Sequence, residues 1–268
     1  MRKIHPVRGP DLKVARRVKP GPTPAAVTEL ASYYGNGQRP ATAGRLWLRA
    51  NMIASTDGAA ELGGKSGALG GPADRMVFTV LRSLADVILV GAGTARAEHY
   101  RPVRAADVWP DLRAGRVPTP AVAVVTDSLN LDACARLLTS APAGAQTIVL
   151  TSAGAPSDKL AALADCTRVI VAGEQHVDMR TALAALAGLG YRQILAEGGP
   201  HLLGELVSHG LLDELCITTS PVLAAGAAGR IAASADPDAT PVPAARLSLA
   251  HVLAHESFLL SRYIRVAG

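Results

Sequence analysis

Short apolar runs rich in Val, Ile and Leu alternate with segments of helical periodicity along most of the chain. The helical segments open with Pro in the first turn or with a Ser or Asp cap, and Gly190 and Gly210 follow two of them. Strands separated by helices of this length predict an α/β fold, with a mainly parallel central sheet and flanking helices on both faces. Three late runs lack a clear helix between them, and they predict antiparallel C-terminal strands at the edge of that sheet.

The same pattern predicts the bounds of the elements. Strands are expected over residues 46–53, 87–90, 121–125, 147–150, 169–171, 193–196, 215–219, 247–252 and 258–266. Helices are expected over residues 24–34, 72–84, 157–164, 178–189 and 200–208. Two stretches rich in Pro and Asp, 102–120 and 233–243, predict long surface loops. We therefore divide the chain into a tail (1–22), a helix with a linker (23–44) and a single domain (45–268).

The net charge of +5 comes from one end of the 268-residue chain. Residues 1–20 hold seven Lys or Arg and one Asp, a balance of +6, which leaves −1 for the remainder. The basic tail is predicted to be disordered and solvated, with binding of a specific anionic partner as the alternative. The remainder of the chain gives no reason to expect nucleic-acid binding.

Hydropathy and cysteine usage bear on the compartment. No apolar run reaches the roughly 18 residues of a membrane span, and the N-terminus lacks the apolar stretch of a signal peptide, so we expect a cytoplasmic protein without a membrane partner. Cys134, Cys166 and Cys216 form no CxxC pair and are predicted to be small buried residues. No metal site is expected.

A first glycine turn, Gly91-Ala92-Gly93-Thr94, follows the strand predicted over 87–90. Glycines at the carboxyl end of a strand let backbone N–H groups approach a phosphate, and the hydroxyl of Thr94 adds a donor. The pattern is not the dinucleotide-binding GxGxxG, because Arg96 stands in place of the third glycine. By itself the turn fits a phosphate site and a tight turn without a ligand equally.

A second glycine turn, Glu197-Gly198-Gly199-Pro200, follows the strand predicted over 193–196 and opens a helix. The positive end of a helix dipole favours an anion such as a pyrophosphate. Two such turns at the carboxyl edge of one parallel sheet predict a ligand site there. His201 either reaches the pyrophosphate or lies on the surface of its helix.

Four motifs together carry a family resemblance: residues 51–58 with the Asp57-Gly58 pair, Arg82, residues 86–94 and residues 197–204. Asp57-Gly58 alone also fits a plain β-turn. In order and spacing the four motifs resemble the C-terminal RibD domain of the riboflavin-biosynthesis pyrimidine reductases, over about residues 45–265. The resemblance implies a dihydrofolate-reductase-like fold, NADPH as hydride donor, a small-molecule substrate and a homodimer. Members of that family reduce the ribose of 5-amino-6-(5-phosphoribosylamino)uracil to a ribityl chain.

The resemblance also implies which residues form the site. The predicted substrate-binding residues are Asn51, Ser66, Asp74, Arg82 and Glu197. The resemblance implies Ser66, Arg82 and Glu197, whereas Asn51 and Asp74 depart from the family pattern at positions that should face the same pocket. The implied cofactor-binding residues are Ile53, Ala54, Asp57, Gly91, Gly93, Thr94, Ser128, Gly198, Gly199, Pro200, His201, Leu202, Leu203 and Gly204. Arg82 can offer its guanidinium fork to the sugar phosphate, and Glu197 can accept hydrogen bonds from an amine or a hydroxyl. No residue is a certain catalytic acid or base, which suits hydride transfer from a cofactor.

Several positions depart from the family pattern. Asn51 stands where many members have Lys, Ala68 where Trp is expected, and Glu98-His99-Tyr100 where Asp-Asp-Pro is expected. The sequence has no HxE with a downstream CxxC, the deaminase signature that often precedes the reductase. These departures predict a divergent, stand-alone member.

Asp74 leaves the identity of the substrate undecided, because family members commonly have an uncharged residue at this position. Its carboxylate either binds the 2-amino and ring N–H groups of a pteridine or favours the helix dipole, by about 0.3–1 kcal/mol. The sequence thus leaves three alternatives to the pyrimidine reductase: a pterin or dihydrofolate reductase, a non-catalytic NADPH-binding protein, and a Rossmann dehydrogenase, which Arg96 disfavours.

Overall fold

The computed structural model describes residues 24–35, 46–132, 135–234 and 244–266, and the predicted basic tail lies outside these ranges. Within them one sheet has nine strands. The strands are β1 (Trp47–Ser55), β2 (Val87–Gly91), β3 (Ala121–Val125), β4 (Ile148–Thr151), β5 (Arg168–Val171), β6 (Gln193–Ala196), β7 (Glu214–Ser220), β8 (Leu247–His255) and β9 (Phe258–Arg265). The helices are α1 (Pro24–Tyr34), α2 (Pro72–Leu84), α3 (Ala92–Ala97), α4 (Arg136–Thr139), α5 (Ser157–Ala164), α6 (Met179–Gly188) and α7 (Pro200–Ser208). No helix in these ranges combines the length and apolar character that crossing a bilayer requires.

The strand order is β5-β4-β3-β2-β6-β1-β7-β9-β8. Strands β5 to β7 in that order are parallel, whereas β9 runs antiparallel to both β7 and β8. The predicted α/β class, with a mainly parallel sheet and antiparallel C-terminal edge strands, is therefore confirmed. The order differs from the 3-2-1-4-5-6 arrangement of a Rossmann sheet, so that alternative is wrong.

Helices cover both faces of the sheet, so its central strands are apolar throughout. In β2, Leu89 faces one core with Leu186 of α6 and Leu206 of α7. Its neighbours Ile88 and Val90 face the opposite core, against α3, α4 and α5. A third cluster lies under α1 and α2. Aliphatic side chains dominate all three clusters, as expected of a chain with only 3% aromatic residues.

Helix α1 packs against the sheet through buried Leu30 and Tyr34. Its last carbonyl groups accept hydrogen bonds from two buried arginines: Arg49 Nη2 donates to Tyr34 O at 2.6 Å, and Arg262 Nη1 donates to Tyr33 O at 2.7 Å. Since the last carbonyls of a helix lack partners within it, these contacts fix the end of α1 to β1 and β9.

The two arginines share one carboxylate, Glu214 on β7. Arg49 Nε and Arg262 Nε donate to Glu214 Oε1 at 2.5 and 2.8 Å. Burial alone would raise the pKa of Glu214, but the two guanidinium groups lower it to about 2. This cluster joins three neighbouring strands, and the sequence pattern did not predict it.

Residues 102–120 do not form the long surface loop that the sequence pattern predicts. The segment contains short 3₁₀ helices, Ala105–Asp107 and Pro110–Arg113, and its side chains Val103, Val108 and Arg113 are buried. Arg113 Nη1 donates to Ala85 O at 2.7 Å, next to the carboxyl end of α2. The segment therefore packs against the domain because its arginines satisfy carbonyl groups that α2 leaves unpaired.

Three smaller expectations need correction or fall outside the described residues. Cys216 is buried as predicted, whereas Cys166 is only half-buried beyond the end of α5, and Cys134 is not described. Of the loop predicted at 233–243, only Ala233 and Ser234 are described. The first glycine turn is the start of α3, a helix that the sequence pattern did not predict.

Candidate active site

The candidate site lies at the carboxyl edge of three adjacent parallel strands, β2, β6 and β1. Gly91 ends β2, Glu197 directly follows β6, and the second half of β1 runs past both. In open α/β sheets ligands bind at this edge, where the connecting segments diverge.

The two predicted glycine turns are in direct contact. Gly91 N donates to Gly198 O at 2.9 Å. Gly198 has φ +98°, a conformation that favours glycine, and a Cβ on Gly199 would collide with Oγ1 of Thr94. Side chains are therefore excluded where the two turns meet, and α7 begins directly behind them with its N-terminal N–H groups toward the edge.

A cavity of about 350 Å³ opens beside these turns. Its lining includes Met52, Gly91, Gly93, Thr94, Gly198, Gly199, Pro200, His201 and Leu202. A Cβ added at Gly93 would meet nothing within 4 Å, so this backbone faces open space. Exposed backbone and the N-terminus of a nine-residue helix are the donor set that a diphosphate requires, so the residues present fit a dinucleotide. We name this cavity the cofactor cleft.

A second cavity, of about 390 Å³, adjoins the first and shares Thr94 and Glu197 with it. All five residues predicted to bind the substrate line it: Asn51, Ser66, Asp74, Arg82 and Glu197. We name it the substrate pocket. Both volumes suit small-molecule ligands.

An ion pair forms one wall of the substrate pocket. Arg82 Nε and Nη2 donate to the two oxygens of Glu197 at 2.7 and 2.6 Å. The hydroxyl of Tyr100 donates to Glu197 Oε2 at 2.6 Å. The guanidinium of Arg82 lies over the ring of Phe78, 4.2 Å from its centroid. Two nitrogens of the Arg82 fork are thus engaged by Glu197, and the expected contact of Arg82 with the sugar phosphate stays a prediction.

Burial and neighbouring charges determine the protonation states of Tyr100 and Arg82. Burial first, and then the charge of Glu197, raise the pKa of Tyr100 well above its ordinary value, so its hydroxyl remains a donor. Burial would lower the pKa of Arg82, but Glu197 raises it above the ordinary value. The carboxylate is held by three hydrogen bonds and keeps a fixed direction.

Two more carboxylates line the substrate pocket. Glu98 Oε1 accepts hydrogen bonds from the backbone N and the hydroxyl of Ser66, both at 2.9 Å. Asp74, in the first turn of α2, is half-buried and hydrogen-bonds to Thr218 of β7. Burial raises the pKa of Asp74, against the opposing effects of Thr218 and Arg75.

Sequence reasoning assigned no role to several residues that line the pocket. Helical spacing could have identified Phe78 as a pocket residue. It lies four residues from both Asp74 and Arg82 and therefore on the same face of α2. In the sequence Glu98 stands out only as a departure from the family pattern, and Tyr100 also as a loop residue near the first glycine turn that either shapes the pocket or covers it. Their partners, Ser66 and Glu197, are far away in sequence, so the contacts follow from the fold.

Six residues predicted as cofactor-binding lie outside the lining of the cofactor cleft. Ile53 lines the substrate pocket rather than the cofactor cleft, and Ala54 is buried beside it on β1. Leu203 belongs to the core under α7. A Cβ on Gly204 would collide with the backbone of Ala233, so this glycine permits packing of α7.

The remaining two of these six are Asp57 and Ser128, which line neither cavity. Asp57 accepts a hydrogen bond from the hydroxyl of Ser55 at 2.5 Å. The backbone N–H groups of Ala224 and Ala225 also donate to it, so Asp57 holds two loops together. Ser128 is exposed in the loop after β3. In the described part of the chain, no cluster of His, Cys, Asp and Glu could hold a metal ion.

Comparison with known proteins gives two similar archaeal relatives. The chain is 32% identical over 155 residues to the 2,5-diamino-6-ribosylamino-4(3H)-pyrimidinone 5′-phosphate reductase of Archaeoglobus fulgidus, which covers 57% of this chain and 69% of the relative. It is 29% identical over 183 residues to the protein of the same name from Methanothermobacter thermautotrophicus, covering 68% and 81%.

Two solved structures are also similar to this chain. A pyrimidine reductase-like protein from Corynebacterium diphtheriae superposes with a TM-score of 0.77 at 27% identity, over 89% of this chain and 99% of that one. The riboflavin biosynthesis reductase Rib7 of Saccharomyces cerevisiae shares the fold, with a TM-score of 0.57 at 14% identity, over 89% and 98%. The chain therefore shares the α/β fold of these two proteins. The sequence model of the RibD C-terminal domain family matches residues 46–257, and the chain belongs to that family.

Proposed function

We propose that this protein reduces the sugar of a ribosylaminopyrimidine 5′-phosphate in riboflavin biosynthesis, with NADPH as the hydride donor. One observation carries the proposal: a cleft suited to a dinucleotide opens directly into a second pocket, and Thr94 and Glu197 line both. Hydride transfer requires donor and acceptor carbons in contact, which two adjoining cavities provide. The names of the relatives from Archaeoglobus and Methanothermobacter support the same class of substrate.

The reaction asks the protein mainly for position. When bound, NADPH would supply the hydride for carbon 1 of the ribose, whose bond to the ring oxygen would break while that oxygen takes a proton from water. Glu197, held by Arg82 and Tyr100, accepts a hydrogen bond from a sugar hydroxyl or from the amine beside the reacting carbon. Its fixed direction orients the substrate without any movement of the side chain.

Three arginines line the substrate pocket, and two of them are engaged in ion pairs. Arg82 is engaged by Glu197, and Arg101 is paired with Asp107. Arg75 lines the pocket and makes no ion pair within the described residues. We assign the 5′-phosphate of the substrate to Arg75. From the family resemblance we also infer a homodimer in the cytoplasm.

A glycine substitution tests the cofactor cleft. A methyl group at Gly93 touches nothing in the protein, so Gly93→Ala is expected to keep the thermal stability of the wild type. The same methyl group would occupy the space through which a diphosphate approaches the backbone. We therefore expect NADPH affinity to fall at least tenfold, measured by fluorescence titration.

Gly188→Ala is the matched control, since Gly188 is also a helical glycine with nothing within 4 Å but lies on α6, outside both cavities. NADPH oxidation at 340 nm with the ribosylaminopyrimidine phosphate measures the reaction itself. Reduction of dihydrofolate in place of that substrate would assign the protein to the pterin alternative. Tight NADPH binding without turnover of either compound would leave the non-catalytic reading.

A further inference from the structure

Met52 of β1 lies at the border between the two cavities, since it lines both the cofactor cleft and the substrate pocket. Of the methionines that the structure describes, it alone lines either cavity. Met76 packs against the cluster under α1 and α2, and Met179 is 4% exposed in the core. Met52 is half-buried, so part of its side chain is open to the cavities. The proposed hydride transfer gives this thioether no role.

The sulfur of Met52 lies against the second glycine turn. The place where a Cβ of Gly198 would be is 3.7 Å from Sδ and 3.5 Å from Cε of Met52. The turn itself is held in position, because Gly198 O accepts a hydrogen bond from Gly91 N at 2.9 Å. An atom added to the sulfur would therefore displace this turn or project into a cavity.

A thioether that is accessible from a cavity can react with peroxide. The sulfur lone pair attacks one oxygen of hydrogen peroxide, and the S–O bond forms as the O–O bond breaks. The proton of the transferred oxygen passes to the leaving hydroxide, which becomes water. The sulfur loses two electrons and the peroxide gains them. The product, a methionine sulfoxide, replaces an apolar group by a polar one whose oxygen accepts hydrogen bonds.

Resting on the proposed NADPH site, we propose that Met52 is an oxidation site, at which peroxide converts the thioether to the sulfoxide and thereby weakens cofactor binding. The donors beside it are the backbone N–H groups of the two glycine turns and of the N-terminus of α7. A sulfoxide oxygen competes with the diphosphate for these donors and presents a negative partial charge to an anion. The modification is reversible in principle, because sulfoxide reductases restore the thioether.

Peptide mass spectrometry after exposure to hydrogen peroxide measures the reactivity of each methionine. Met52 should gain oxygen about tenfold or more faster than Met179, because the rate of oxidation follows exposure. NADPH at a concentration shown to saturate the protein should slow the reaction of Met52 and leave that of Met76 unchanged. A rate for Met52 no higher than that for Met179 would refute the proposal, as would an unchanged rate with NADPH bound.

Fluorescence titration with NADPH measures the consequence of oxidation. Dithiothreitol is added after the peroxide, so that disulfides and sulfenic acids are reversed while sulfoxides remain. The treated wild type should bind NADPH about tenfold more weakly than before treatment. Met52→Leu should keep the affinity that it has before treatment, whereas Met76→Leu, the matched control, should lose affinity as the wild type does. Equal losses in the two variants would assign the effect to another residue and overturn the proposal.

A pair of variants tests the site without any oxidant, which decides the matter if peroxide unfolds the protein. Met52→Gln places a polar side chain of similar length beside Gly198, and Met52→Leu places an apolar one. Met52→Gln should bind NADPH about tenfold more weakly than Met52→Leu. Equal affinities would contradict the role of Met52. An untreated wild type that binds no NADPH would instead refute the proposed cofactor, and the oxidation rates would still report whether Met52 is the reactive site.

Discussion

At the scale of single residues, the substrate pocket depends on contacts between distant parts of the chain. Arg82 and Glu197 are 115 residues apart, and Tyr100 lies between them in sequence. The sequence marked Arg82 and Glu197 as site residues separately, because each belongs to a family motif. It could not show that they bind each other, since only the pairing of β2 with β6 brings α2 and Glu197 together.

The hydroxyl of Tyr100 should contribute measurably to stability. Tyr100→Phe removes a hydrogen bond to a buried carboxylate, so the free energy of unfolding should fall by about 1.5–3 kcal/mol in urea titrations. Tyr263→Phe is the control, because the hydroxyl of Tyr263 makes no hydrogen bond within the described ranges, and it should change stability by less than about 0.5 kcal/mol. Equal stability of the two variants would contradict the role assigned to Tyr100.

At the scale of elements, periodicity predicted the long helices and every strand of the sheet, since these bury regular apolar faces. It missed α3 because the glycines in Gly91-Ala92-Gly93-Thr94 indicate a turn, whereas in the structure Gly91 caps a helix and donates a hydrogen bond to Gly198 of the second glycine turn. It also assigned 102–120 to the surface. Polar residues such as Arg113 predict exposure unless their partners, here the carbonyls beyond α2, are known.

The contact between α1 and the C-terminal hairpin contains a histidine that should make stability depend on pH. His251 of β8 is buried between the rings of Tyr33 and Tyr34, and neither ring nitrogen has a partner within the described residues. Burial first, then the charge of Arg262, lower the pKa of His251 to about 4. The other charged groups that act on it are Glu214, which opposes the shift, and Arg49.

The lowered pKa of His251 determines in which direction stability changes with pH. Between pH 6.5 and about 4 the unfolded chain binds a proton at His251 that the folded chain refuses, so stability is lost as the pH falls through this window, by up to about 3 kcal/mol. We expect His251→Phe to show a flatter profile than the wild type in urea titrations across this range. His176→Gln, which changes an exposed histidine, should keep the wild-type profile. A wild-type slope in His251→Phe would show that other groups cause the loss.

At the scale of the whole molecule, the N-terminal segment divides into two parts with different expected effects. Removal of residues 1–20 should leave the free energy of unfolding and NADPH affinity unchanged. Removal of residues 1–35 deletes α1, uncovers a core face and leaves Arg49 and Arg262 without their carbonyl partners. Stability should then fall by at least about 3 kcal/mol. Two truncations of equal stability would show that α1 contributes little.

The position of β1 has a consequence for the nascent chain. This strand is made early, yet its neighbours in the sheet, β6 and β7, follow much later, with Glu214 pairing 165 residues after Arg49. Until they emerge from the ribosome, an apolar strand has both edges open to wrong partners. Arg49 puts a positive charge near the start of that strand, and a charge beside an apolar run opposes aggregation. The charge is neutralised when Glu214 arrives, so one side chain protects the growing chain first and joins its strands afterwards.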